Sequence, residues 1–322
     1  MSRVPFVPLV LLAVVCPAGA ACDSPYATPG PYAVTVVDQA WTDASRERTL
    51  PVRIYVPGAS APGRRPAVVF SHGLGGSRAG GETWGRHWAS HGFVSIHVQH
   101  PGSDELLWRD RGGTTVKDAL MKGMTARAYV DRVLDIRFVV DEIGRRAAAQ
   151  DPLAARIDVG RLAMSGHSFG ARTTQAMMGE RLPVPGVGDR YADPRFVAAI
   201  AFSPSPSGPA SRRAARFAGM TRPFLSVTGT RDADPMGSGM DPLQRTELFA
   251  NMPPGDKYLL VLDGADHLVF DGGRTTSGDT DVERCARMVT LAFLETYLEG
   301  NAQARALLAA PPLAGAGTWQ RK

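Results

Sequence analysis

Six short, nearly continuous apolar runs punctuate the chain, at residues 67–70, 93–98, 162–164, 197–202, 224–227 and 258–262. Runs of this length suit strands buried on both faces, as in a parallel sheet. Helical patterns lie between them. The strongest covers 126–149, where Val130, Val133, Leu134, Phe138 and Ile143 fall near helical spacing. Residues 169–178, 242–251 and 282–298 are the others. This alternation predicts an α/β fold with a mostly parallel, doubly wound sheet and helices on both faces. Upstream, 32–37 and 52–56 alternate apolar and polar residues and read as an antiparallel pair, followed by a Pro/Gly-rich turn region at 57–66.

The chain has 322 residues, with no internal repeat and no linker, and is long enough to bury a large core. Hydrophobic residues at 44% and charged residues at 21% exclude a disordered or fibrous chain. The net charge is +5, but no block of five like charges exists, so no nucleic-acid partner is expected. Three widely spaced Cys exclude a disulfide-dense scaffold and a Cys-rich zinc module. Loops are expected at 204–213 and 237–239. The Ala/Pro/Gly-rich tail, 309–322, is expected to be flexible.

The N-terminus reads as an export signal over 1–20. Arg3 precedes an apolar run at 4–15, and Ala18-Gly19-Ala20 is a small-residue cleavage site. The run is shorter than the roughly 20 apolar residues that span a bilayer. No later segment reaches that length, so no integral membrane segment is expected in the mature chain. The expected location is periplasmic or extracellular. Lipidation of Cys22 ranks second, because Gly19 stands where a lipobox has a larger aliphatic residue. Export leaves Cys22 and Cys285, which are expected to pair in an oxidising compartment. The alternative is two free thiols.

One constellation carries chemistry. The strand Leu162-Ala163-Met164 runs into Ser165-Gly166-His167-Ser168-Phe169-Gly170, and a helix follows. This is G-x-S-x-G in its strand–turn–helix context, which holds a serine nucleophile on a strained turn. A serine hydroxyl needs an adjacent base, and the base needs an orienting acid. His267 follows the strand at 258–262, and Asp232 follows the strand at 224–227. The order Ser168, Asp232, His267 is that of an α/β-hydrolase. Asp232 comes first after its strand; Asp234 is the alternative acid. Asp266, beside the base, is expected to shape its loop. An oxyanion also needs donors. The turn His72-Gly73-Leu74-Gly75-Gly76 offers the Leu74 N–H, and Phe169 N–H is the second; His72 is expected to order this loop.

Phe70-Ser71-His72-Gly73-Leu74-Gly75-Gly76, His100-Pro101-Gly102-Ser103, Gly166-His167-Ser168-Phe169-Gly170, Gly229-Thr230-Arg231-Asp232 and Gly264-Ala265-Asp266-His267 occur in this order. Together they resemble the bacterial α/β-hydrolases grouped with dienelactone hydrolases and platelet-activating factor acetylhydrolases. The likeness spans about residues 32–298, and residues 21–308 are expected to form the catalytic domain. It implies ester hydrolysis through Ser168, Asp232 and His267, without metal or organic cofactor. Dienelactone hydrolases use a Cys nucleophile. Ser168 therefore favours the acyl-ester branch.

Other sites read more weakly. His87 and His91 have zinc-compatible spacing but lack the Glu of H-E-x-x-H. Asp263, Asp266, Asp271, Asp279 and Asp281 lack EF-hand spacing, and no P-loop is present. His97 and His100 either line the rim of the site or pack. Trp84, Trp88 and Trp108 either touch an acyl chain or belong to the core. The segment 100–124 carries Leu106, Leu107, Trp108, Leu120, Met121 and Met124 around a possible hinge, Gly112-Gly113. It is expected to lie over the catalytic face and shape the pocket. Its interspersed charges argue against a membrane-inserting lid and for short to medium acyl esters. The expected partner is a small-molecule or lipid ester. A peptidase or thioesterase with the same triad, or a catalytically silent binding protein, are the competing readings.

Overall fold

A computed structural model describes residues 21–110, 112–182, 191–206, 208–237, 239–272 and 280–322. The expected export signal at 1–20 lies outside them, as does Asp279. The strands are β1 Val34–Asp43, β2 Arg48–Pro57, β3 Arg65–Ser71, β4 Val94–Val98, β5 Ile157–His167, β6 Phe196–Phe202, β7 Phe224–Arg231, β8 Lys257–Asp266 and β9 Gly317–Arg321. They form one sheet in the order β1-β2-β4-β3-β5-β6-β7-β8-β9. The six strands from β4 to β8 in that order run parallel. β1, β2 and β9 pair antiparallel at the two ends.

The longer helices are α1 Glu82–Ser90, α3 Val116–Gly123, α4 Ala126–Ala148, α5 Phe169–Met177, α8 Asp281–Leu294 and α9 Ala302–Ala309; α2 Leu106–Arg109, α6 Arg213–Phe217 and α7 Glu247–Asn251 are short. Side chains alternate across the parallel strands and build two cores. Val69, Met164 and Ala199 face α4, where Val133, Ile136, Val139 and Ile143 form the apolar stripe. Val68, Phe70, Ala163 and Ile200 face the other way, against Trp84 and Trp88 of α1 and Val289, Leu291 and Phe293 of α8. Thr125 starts α4 by accepting from Ala128 N–H, and Thr280 starts α8 by accepting from Glu283 N–H. The result is a mostly parallel α/β architecture with helices on both faces, consistent with the hydrolase fold.

The expected flexible tail at 309–322 is a correction. Its last residues form β9, which pairs with β8 from Leu262↔Gly317 to Tyr258↔Arg321. Trp319 stacks on Tyr258 at 5.3 Å, and its indole N–H donates to Leu308 O. Strand pairing uses backbone groups, so an Ala/Pro/Gly-rich approach does not prevent it. Cys22 is bonded to Cys285 on α8, tying the start of the described chain to the second core.

Sheet order reverses between β3 and β5. β3 connects outward to β4, whereas β5 leads the other way to β6. The loops leaving the carboxyl ends of β3 and β5 therefore diverge and leave a crevice, the usual ligand position in open α/β sheets.

Candidate active site

The turn after β5 is built by close approach. A Cβ on Gly170 would run into the Ser71 carbonyl oxygen, and one on Gly166 into Gly170 O. With hydrogen at both positions, α5 starts directly against β3 and β5. The chain must then reverse at Ser168, which adopts φ 55° and ψ −110°. This is the left-handed side of conformational space, costly for a residue with a Cβ. Ser168 N–H donates to Phe202 O at 3.0 Å, which anchors the turn to β6.

Asp232 follows β7 and is fully buried. Thr228 Oγ1 donates to its Oδ2 at 2.8 Å, and its Oδ1 lies 2.7 Å from His267 Nδ1. A carboxylate only accepts, so Nδ1 carries the ring proton and Nε2 keeps its lone pair. Asp234, the alternative acid, accepts from Met236 N–H within its own loop and lines the cavity. Asp266 Oδ1 accepts from the N–H groups of Leu268 and Val269, and so shapes the His267 loop.

Ser168 and His267 line one cavity of about 680 Å³, with Leu74 and Phe169. The Leu74 N–H finds no acceptor among the described residues. The Phe169 N–H opens α5, where a helix has no internal acceptor for it. Val116, Leu120, Met124, Met236, Met240 and Leu268 supply an apolar wall. The segment 100–124 thus borders the site through α3. Within it, Leu106 and Met121 point to solvent, and Trp108 donates to Gly75 O at 2.7 Å.

Three polar neighbours had no sequence signal beyond their identity. His167, inside the elbow, has its Nε2 2.9 Å from His267 O, where it donates, and its ring centroid lies 4.7 Å from that of His267. Arg245 is buried, with Nε 2.8 Å from Asp232 Oδ1 and Nη2 3.1 Å from His267 Nδ1. Arg132, from α4, lies under the β3 loop. Burial pushes the His267 pKa below the usual imidazole range. Asp232 opposes that shift, and His167 and Arg245 reinforce it.

The remaining histidines are structural. His72 donates from Nδ1 to Gly73 O at 2.6 Å, and its Nε2 accepts from His100 N–H at 3.1 Å. It orders the loop, and burial, then Arg132, pushes its pKa down. His97 is buried against Phe70, and His100 lies 3.0 Å from Asp135; both pack beneath the sheet end. His87 and His91 direct Nε2 at the carbonyls of Tyr26 and Thr28. Trp84 and Trp88 are core residues.

No helix among the described residues is long and apolar enough to cross a membrane. No curated protein matches the chain. A family model described as platelet-activating factor acetylhydrolase, isoform II, matches residues 34–105, from β1 through the Leu74 loop and β4, and this likeness suggests a serine hydrolase acting on esters.

Proposed function

We propose that the protein is an exported serine hydrolase that cleaves carboxylic esters of short to medium acyl chain, including small, lipid or polyester substrates. The observation that carries this reading is the ordered contact from Asp232 to His267 beside a cavity that Ser168 also lines. Ser168 Oγ attacks the ester carbonyl as its proton passes to His267 Nε2. The Leu74 and Phe169 N–H groups receive the oxyanion. The intermediate collapses to an acyl-serine, and the protonated His267 gives its proton to the departing alcohol. Water, deprotonated by the same nitrogen, then releases the acid and restores the serine.

Asp232 stabilises the imidazolium that forms in each half-reaction. The apolar wall from α3 and from Met236 and Met240 suits an acyl chain of limited length. The Cys22–Cys285 disulfide supports export, because disulfides persist in oxidising compartments. A fluorophosphonate probe tests the reading. Labelling at Ser168, with loss of p-nitrophenyl ester hydrolysis, is expected. Hydrolysis that survives full Ser168 labelling refutes it.

A further inference from the structure

Arg132 is a fully buried cation whose donors go to the loops that follow β3 and β4. Its Nη1 donates to His72 O at 2.6 Å, and its Nη2 to Gly73 O at 3.2 Å and Ser103 O at 3.3 Å. Its Nε donates to Ser103 Oγ at 2.8 Å, which fixes the rotation of the guanidinium. Gly73 O also accepts from His72 Nδ1 at 2.6 Å and from Gly76 N–H at 3.1 Å.

A trans peptide is planar, so its N–H points opposite to its C=O. Pinning the Gly73 carbonyl toward Arg132 therefore turns the Leu74 N–H away from Arg132. That donor finds no acceptor among the described residues, and Leu74 lines the cavity shared with Ser168. The same guanidinium carbon lies 4.4 Å from the centroid of the Phe169 ring. Phe169 carries the other candidate donor, and a cation over an aromatic face is attractive. One buried charge thus touches both segments that would receive an oxyanion. Arginine suits this task because its rigid fork serves several carbonyls at once, whereas an ammonium is a single compact charge.

We infer that Arg132 is the positioning residue of the oxyanion hole, holding the Gly73–Leu74 peptide and the Phe169 ring in the orientation that stabilises the tetrahedral intermediate. The inference rests on the reading of Ser168 as nucleophile. Arg132 touches no substrate; it acts through Leu74 and Phe169.

The test uses the full-length protein and Arg132→Met, Arg132→Lys and Ser103→Ala. A p-nitrophenyl phosphonate burst first counts competent sites, so that kcat is expressed per titrated site. A trifluoromethyl ketone, whose adduct with serine carries an oxyanion, is compared with the matching methyl ketone. For Arg132→Met the expected result is a kcat loss of about 10²–10³, the cost of losing one oxyanion donor, with KM unchanged. The trifluoromethyl ketone should weaken by a similar factor and the methyl ketone should not. Arg132→Lys should recover part of the loss. Ser103→Ala should lose roughly tenfold, about one hydrogen bond to a charged group.

A lower titre or Tm with normal kcat per titrated site, or a rise in KM alone, overturns the inference. If Arg132→Met does not fold, Arg132→Lys and Ser103→Ala decide, and normal kcat per site in both overturns it. If the wild-type protein is not labelled on Ser168, the esterase reading and this inference fall together. Labelling with normal kcat in the variants overturns only the role of Arg132.

Discussion

His267 Nδ1 lies 2.7 Å from Asp232 Oδ1, joining residues that leave the ends of two adjacent parallel strands, β8 and β7. A ring proton on Nδ1 satisfies this contact, and Nε2 then keeps its lone pair, as the proposed reaction requires. It is buried, so neither partner competes with bulk water for the other.

Removing the nucleophile or the base should each abolish turnover. Ser168→Ala and His267→Ala should each lose roughly 10⁴–10⁶ in kcat, and the double variant little more, because the groups act as a unit. Steady-state hydrolysis of p-nitrophenyl butyrate measures this. Near-normal activity in Ser168→Ala would sink the assignment.

The two candidate acids should separate cleanly. Asp232→Asn should lose about 10⁴-fold, since an amide no longer holds the imidazole in the required tautomer. Asp234→Asn keeps an oxygen for Met236 N–H and should lose far less. The reverse ranking of kcat/KM would move the assignment to Asp234.

Activity at mildly acidic pH is expected if His267, which is buried, serves as the proposed base. Only neutral His267 accepts a proton, so activity is present above its pKa and is lost as pH falls through it. Burial lowers that pKa, so the acid limb of kcat/KM should lie below the ordinary value of about 6.5. Arg245 contributes a like charge, and Arg245→Gln should move the limb to higher pH. A limb at or above the ordinary value in the wild type contradicts this.

The Cys22–Cys285 bond should resist alkylation until it is reduced, with intact mass as the readout. Reduction should destabilise the fold by roughly 2–5 kcal/mol, mainly by freeing the unfolded chain. Two freely alkylated thiols in exported protein, or lipid on Cys22, would refute the pairing.

Chain-length preference is the last expectation. The wall formed by Leu120 and Met124 stands on α3, a helix of eight residues flanked by exposed polar groups, and on its C-terminal cap. Hydrolysis of p-nitrophenyl esters should peak at short to medium acyl chains, without interfacial activation. Rates that climb steadily to palmitate, or that begin only above the substrate's solubility limit, would defeat it.

Much of the fold was legible because local chemistry encodes it. The apolar runs became β3 through β8 of the sheet, and the pattern at 126–149 became α4, Ala126–Ala148. The elbow was legible too, since Gly166 and Gly170 are demanded by the crowding of their own turn. The order of Ser168, Asp232 and His267 followed from their positions after strands. The tail misled, because composition reports chain stiffness and not whether a neighbouring strand edge offers partners to Gly317–Arg321. The buried cations were illegible for a related reason. Arg132 looks like a polar position on an amphipathic helix, and Arg245 like one more arginine on a loop. Their roles depend on carbonyls and carboxylates far off in sequence: Arg132 bonds Gly73 O, 59 residues away, and Arg245 bonds Ser203 O, 42 residues away. Residue patterns carry local sterics and burial. Which charge comes to rest beneath which loop is decided only when the sheet order brings β3, α4 and β5 together.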